Sequence, residues 1–363
     1  MRIYTACLPP LAIALMLCGC STATWNKPHA MPSAATAVIQ EEPECECQGE
    51  ATPEIQEPHK SEPAPAPQPA KPAAQKQESE PKPEPAKTKP DKPAEPAQIT
   101  PQFGADGRLM HPWYGAPQTL DYSGPRPAWF GENLKFKVGW SFITAGEAEL
   151  IADKIVQTPA GPAFAAEAYA QSYSVIDALF KVRDINISWI AADLKKSLGY
   201  WQSVREGGYM RDEWLIFDYK NNSYEIHKQN NKKEISLTPY KFTGADIWDM
   251  LSSLYFVRSQ KLPLKGELYF DIVNVNEQYP LKVLVHGKET VKVKAGKFDC
   301  ILVEPFIAGE GIFVSKGKSL KVWLTDDEYK MPVKMSVEVF IGSVYAELTS
   351  YTRNEAAPRQ PQK

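Results

Sequence analysis

From Leu134 onward the chain alternates apolar and polar residues in short runs, and this period of two limits what it can become. Leu134-Lys135-Phe136-Lys137-Val138 and Ile185-Asn186-Ile187-Ser188-Trp189 each put one set of side chains on one face of an extended strand. Further strand-like runs follow at Trp214–Tyr219, Glu267–Val273, Leu281–Val285, Glu289–Val293, Phe298–Val303, Leu320–Leu324, Val333–Phe340 and Val344–Tyr351. Asn221-Asn222 and Ala295-Gly296-Lys297 sit between neighbouring runs as turn signals. Short strands at this spacing predict antiparallel pairing through hairpins over a folded domain of residues 128–353.

One segment departs from the period of two. Ile247, Met250, Leu251, Leu254 and Tyr255 fall at helical spacing, which predicts a helix over about 244–259. Thr243 and Asp246 are its expected capping box, and Pro263 lies past its end. A single apolar-faced helix beside a long sheet is expected inside the curve of that sheet. The fold class is therefore mainly β: a large curved antiparallel sheet, or an open β-barrel or sandwich, with one internal helix.

The N-terminal third cannot add to that core. Most of the 32 prolines precede residue 130, and Pro63-Ala64-Pro65-Ala66-Pro67 typifies the composition. Such Pro/Ala/Lys/Glu sequence lacks the aromatic and β-branched residues needed to offset the entropy of ordering. Residues 20–100 are expected to be a disordered tether, with a reach of up to roughly 200 Å at about 3.1 Å per residue. Residues 101–127 form an aromatic-containing arm. Trp113, Tyr114 and Tyr122, with Trp129 and Phe130 just beyond, are costly to leave in water, so this region is expected to pack on the domain. Residues 354–363 are expected to be a disordered tail.

The extreme N-terminus carries Arg2, a brief apolar stretch over Leu8–Leu17, and then Leu17-Cys18-Gly19-Cys20. The stretch is too short to span a bilayer and has the layout of a secretory signal over residues 1–19. Its end resembles the lipobox of bacterial lipoproteins. That resemblance implies cleavage before Cys20, acylation of its thiol and attachment to a membrane by acyl chains. Ser21, in place of an acidic residue, implies sorting to the outer membrane, with the domain in the periplasm. The other thiols differ in setting. Cys45 and Cys47 lie in the tether, either without a defined role or available for a disulfide, an interchain bond or a metal. Cys300 lies in an apolar run and is expected to be a small core residue.

Several short motifs are similar in order and spacing to the DUF3108 domain. They are Gly131-Glu132-Asn133-Leu134-Lys135-Phe136 with Ala145-Gly146-Glu147-Ala148, and the run from Asp249 to Arg258 at the helix. Further on come Gly287-Lys288-Glu289-Thr290-Val291 with Ala295-Gly296-Lys297-Phe298, and Val322-Trp323-Leu324-Thr325-Asp326-Asp327 with Pro332-Val333. The resemblance covers roughly residues 128–351. It implies a β-rich periplasmic or envelope domain and carries no catalytic residues over.

No catalytic constellation is legible. His111, His227 and His286 lack the i, i+4 partner of a zinc helix, and neither a Gly-x-Ser-x-Gly elbow nor a phosphate-cradling glycine loop occurs. Asp326-Asp327-Glu328 reads as a hairpin turn more readily than as a calcium site, and Arg258 reads as a cation at a helix C-terminus. Glu132, Glu147 and Asp249 are acids of unknown mutual distance. The net charge of −3 gives no reason to expect a nucleic-acid partner. No cofactor, metal or enzymatic activity is expected. Trp140, Trp201, Trp214, Trp248 and Tyr255 are the candidate lining of an apolar pocket between sheet and helix. The expected function is thus a lipid-anchored envelope protein whose β-domain binds an apolar ligand or lipid, in transport or envelope maintenance. The alternative is a non-enzymatic scaffold that docks on another envelope protein or on peptidoglycan.

Overall fold

The computed structural model describes residues 100–118, 122–274, 277–307, 320–338 and 342–354. The signal segment, Cys20, the tether with Cys45 and Cys47, and the tail beyond Asn354 lie outside the described residues. The arm supplies a two-stranded ribbon, β1 (Gln102–Phe103) and β2 (Leu109–Met110). The domain then continues with β3 (Glu132–Trp140), β4 (Ile143–Thr158), β5 (Gly161–Ser172), helix α1 (Ser174–Asp177), β6 (Arg183–Ala191), β7 (Ser197–Glu206), β8 (Tyr209–Asp218), β9 (Ser223–Asn230) and β10 (Ser236–Lys241). After β11 (Ile247–Asp249) and helix α2 (Met250–Ser259) come β12 (Glu267–Asn274), β13 (Glu277–Val293), β14 (Gly296–Ile307), β15 (Leu320–Thr325), β16 (Pro332–Glu338) and β17 (Ser343–Thr352).

Strands β3 to β17 form one sheet of 15 strands, in the order β10-β9-β8-β7-β6-β5-β4-β3-β17-β16-β15-β14-β13-β12-β11. Every neighbouring pair is antiparallel except β11 with β12. The pair β17–β3 joins the two ends of the domain, matching Ala346 with Val138 and Leu348 with Phe136. The sheet does not close into a barrel: β10 and β11 are its edges. The β10 edge carries Pro239 and is largely exposed, so it is a poor template for a further strand. The β11 edge has only three residues and runs directly into α2. Side chains tie the connection between the edges to both sides. Tyr219 Oη donates to the carbonyls of Ser197 (2.6 Å) and Ile247 (3.2 Å). The Gln278 amide accepts from Thr243 N (2.8 Å) and donates to Thr243 O (3.0 Å).

The helix corrects one boundary of the sequence reading. Residues 247–249 are a strand, and α2 starts only at Met250. The capping box is not made by Thr243 and Asp246. Asp249 accepts from the backbone N–H groups of Leu251 and Ser252, and Ser252 Oγ accepts from Asp249 N–H. Spacing alone could not separate a three-residue buried strand from a first helical turn, because Ile247 and Trp248 are apolar in either case.

Alternation is clear where one sheet face meets water. In β3, Leu134, Phe136 and Val138 are buried and Lys135 is exposed. The main core joins these residues to Leu150, Phe164 and Ala168, to Leu251 and Tyr255 of α2, and to Phe270, Val303 and Leu348. Burial of each such large side chain stabilises the fold by about 1.5–3 kcal/mol. A second core lies on the other face of β5–β8, where the arm covers Ile187, Trp189, Leu198, Trp201 and Trp214 with Leu109 and Trp113. His111 stacks on Trp189 at 4.0 Å, and burial pushes its imidazole down to about 3, so it serves as a neutral ring. Gly199 lets the arm lie flat, since a Cβ there would come within 3.0 Å of the Trp113 ring and 3.1 Å of Leu215 O. Cys300 is fully buried with a free thiol, and burial raises its pKa to about 12, which leaves it protonated and unreactive. Asp327 turns the chain between β15 and β16 by accepting from Tyr329 N and Lys330 N.

Candidate functional site

Helix α2 is fastened to the sheet through polar contacts at both ends. At its start the buried Asp249 carboxylate also accepts from Ser188 Oγ of β6 (2.5 Å) and Ser197 Oγ of β7 (2.6 Å). Burial raises the Asp249 pKa, and the Ser188, Ser197 and Ser252 hydrogen bonds pull against that rise. At the helix end Arg258 makes a two-pronged ion pair with Glu132 of β3 (2.6 and 2.5 Å) and donates to Tyr329 O at 3.2 Å. Burial works against the guanidinium charge, and Glu132 more than restores it, so the Arg258 pKa ends above its ordinary value. The cation read as complementing a helix dipole is thus a buried clamp between helix and sheet. The sequence offered both partners, Glu132 and Arg258, but nothing in it joins residues 126 positions apart.

The five aromatics expected to line one pocket do not converge. Trp248 and Tyr255 belong to the main core, where Trp248 packs on Phe256 (4.6 Å between centroids) and Tyr255 meets Trp129 edge-on (4.8 Å). Trp140 is half-buried against the same core. Trp201 and Trp214 are cross-strand partners in the second core, on the opposite face, and Trp214 stacks on His227 at 3.7 Å. The sheet itself stands between the two sets. Their facing was hidden because β7 is buried on both sides and shows no alternation.

The core face of β6–β8 also carries polar side chains that the sequence reading missed. Tyr200 Oη and Gln202 Nε2 both donate to Asn186 Oδ1 (2.7 and 3.0 Å), and Arg211 donates to Gln202 Oε1. The Asn186, Gln202 and Arg211 side chains are buried on the same face as Tyr200, Leu215 and Phe217 of the main core.

A groove of about 610 Å³ runs across the outer face of β3–β6. Five cationic side chains line it: Arg108 of the arm, Lys135 and Lys137 of β3, Arg183 of β6 and Lys294 of the β13–β14 turn. Three carboxyls, Glu147, Glu149 and Asp184, share the lining with Tyr169, Tyr173 and Thr144. Alternation explains the set: Lys135, Lys137, Glu147, Glu149, Tyr169 and Gln171 are the residues between the core-facing ones of the same strands. Arg108 is oriented from three sides, by Asp106 (2.6 Å), Ser203 Oγ (2.6 Å) and Arg183 O (3.1 Å). Lys137 lies 2.9 Å from Glu347, and Lys135 3.8 Å from Glu149, with the Lys135 side chain 61% exposed.

Asp184 carries one of the largest perturbations at this groove. Burial raises its pKa from 3.8 to about 8, with the neighbouring Glu206 adding to the rise and Arg108 opposing it. Glu206 is also raised, first by burial, so the pair retains a proton that two exposed carboxyls would lose. The folded state therefore binds a proton that the unfolded chain releases above pH 3.8. Its stabilising contribution is fully present below that pH and is lost as pH rises through about 8. We expect folding near pH 6 to take up about one proton at this pair and Asp184→Asn to flatten the pH dependence of stability between pH 4 and 8, as read from urea unfolding at a series of pH values.

The architecture is thus an open antiparallel sheet with an inner helix clamped to it and a charged groove on its outer face. The chain belongs to the DUF3108 family, described as a protein of unknown function, whose sequence model matches residues 135–349. No curated protein matches the chain. Among solved structures it is similar to a β-barrel-like DUF1849 protein of Brucella abortus, at 8% identity and a TM-score of 0.40, over 62% of this chain and 98% of that one. It is also similar to a protein with a YmcC-like fold from Bacteroides fragilis (14% identity, TM-score 0.25, 62% and 98% covered). A Parabacteroides distasonis protein described as a lipoprotein gives 10% identity and a TM-score of 0.26, with 62% and 97% covered.

Proposed function

We propose that this is a lipid-anchored protein of the bacterial envelope whose β-domain binds a lipid by its acidic head group, without a catalytic step. The observation that carries this reading is the groove over β3–β6, where Arg108, Lys135, Lys137, Arg183 and Lys294 converge on one volume. Charge-assisted hydrogen bonds from such donors suit a phosphate or carboxylate. The volume matches a head group and the first part of its chains. Arg108 is held before any ligand arrives, so little side-chain entropy is lost on binding. The lipobox-like Leu17-Cys18-Gly19-Cys20 supports attachment to the outer membrane, and the Pro-rich segment supports a tether that lets the domain work at a distance from its anchor. This reading moves the site from the aromatic interior to the outer face, because the aromatics are spent on packing.

Purification of the full chain from membranes, followed by native mass spectrometry and solvent extraction, tests it. Extraction removes a bound lipid and leaves covalent acyl chains in place. The expected result is an acidic lipid near one per chain. Lys135→Gln with Lys294→Gln should lower its retention about tenfold, since each exposed cation contributes of the order of 0.7 kcal/mol. Both side chains are exposed and outside the core, so folding should be unaffected. A chain with nothing extractable, or an unchanged lipid content in the variant, rules the groove out as a lipid site.

A further inference from the structure

We infer that one rim of the domain, formed by the β3–β4 turn and helix α1, docks on the surface of an anionic lipid bilayer. Phe142 is 92% exposed, Leu179 81% and Val175 75%, which is far more apolar exposure than isolated surface positions require. Ile143 and Tyr173 are exposed beside them. Two contacts bring these residues together. Gly146 pairs with Ser172, and Tyr173 N–H donates to Ala145 O at 3.0 Å. Two residues beyond that bond stand Ile143 on one segment and Val175 on the other. Val175 lies in α1 and Leu179 in the turn that follows it, where Leu179 N–H donates to Ile176 O at 2.8 Å, whereas Phe180 packs inward against Val182 and Val204.

The occupant is indicated by what surrounds this apolar rim. Thr144 and Tyr173 belong both to the rim and to the lining of the cationic groove, so the two are continuous. Lys181, four residues past the end of α1, is exposed, and Arg183 opens β6, held by Asp177 at 2.6 Å. Apolar side chains at a tip with lysine and arginine behind them match a bilayer interface, where aromatic and aliphatic groups enter the acyl boundary and cations stay at the phosphates. Asp177, at the base of the rim, accepts from Arg183 and Ser172 and so presents less free charge to the phosphates. The inference goes beyond the lipid-binding reading and would place the groove against the membrane from which a lipid could enter.

Hydrogen–deuterium exchange on the full chain in vesicles of phosphatidylethanolamine with phosphatidylglycerol tests this. Peptides covering 141–146 and 173–181 should exchange about tenfold more slowly than in vesicle-free buffer with the same protein. Phe142→Ser with Leu179→Ser should abolish that protection and leave exchange in β12–β17 unchanged, since both residues are exposed and carry no core contact. The intact mass of the same sample reads acylation of Cys20, and its extractable lipid reads the groove, so failure of either reading is distinguishable from failure of the rim. Equal exchange with and without vesicles, or protection that persists in the double variant, overturns the inference.

Discussion

Glu132→Gln is expected to destabilise the domain by about 3–5 kcal/mol, because it leaves the Arg258 guanidinium buried without a counter-charge. Both side chains of the pair are almost completely excluded from water, at 0% and 2% exposure, so solvent cannot take over the lost charge. The loss corresponds to a fall in melting temperature of about 10 °C for a domain of this size. Replacing both partners, with Glu132→Leu and Arg258→Met, should recover most of it, since an apolar pair of similar volume avoids the desolvation of two ions. Urea unfolding of the two single variants and the double variant measures the difference. A double variant as unstable as the singles would mean that Arg258 acts mainly through Tyr329 O and the helix end, not through Glu132.

Trp248→Ala and Trp201→Ala are each expected to cost about 3–5 kcal/mol, as large-to-small changes at sites 2% and 0% exposed. The costs should add to within about 0.5 kcal/mol, because the two residues sit in separate cores on opposite faces of the sheet. A double-mutant cycle in urea measures the coupling. Strong coupling would contradict the separation of the cores. Tyr255→Phe is the informative companion: the Tyr255 hydroxyl has no hydrogen-bond partner among the described residues, so its removal should be neutral or mildly stabilising. None of these three substitutions should alter lipid retention, which is where an aromatic pocket and an outer groove give opposite results.

The β-domain was legible because alternation is a direct projection of one wet and one dry face. Leu134 to Val138 read correctly for that reason, as did the Asn221-Asn222 turn, where Asn222 takes the left-handed conformation (φ 49°) that asparagine tolerates. Legibility failed where both faces are dry. Strands β6 and β7 are covered on one side by the core and on the other by the arm, so Trp201 and Tyr200, adjacent in sequence, could not be assigned to faces. It failed again where a contact closes across a long separation. Glu132 with Arg258, and Asp249 with Ser188 and Ser197, were each present as isolated polar residues whose meeting depends on sheet curvature. The groove was hidden for a related reason. Arg108 arrives from the arm and Lys294 from a distant hairpin, and local sequence gives no sign that both reach β3.

The same division bears on function. Residues that looked like a binding site, the tryptophans, build the scaffold, while residues that looked like solvated strand faces build the groove. Large aromatics signal burial first, and they signal a ligand only when other side chains leave space beside them.

Calorimetric titration of the full chain with a short-chain phosphatidylglycerol, set against its phosphatidylcholine counterpart, tests the groove most directly. Saturable binding at one site is expected for the anionic lipid, with about tenfold weaker binding for the zwitterionic one and a similar loss with Lys135→Gln and Lys294→Gln. Equal binding of both lipids, or binding indifferent to the two lysines, would contradict lipid binding in the groove.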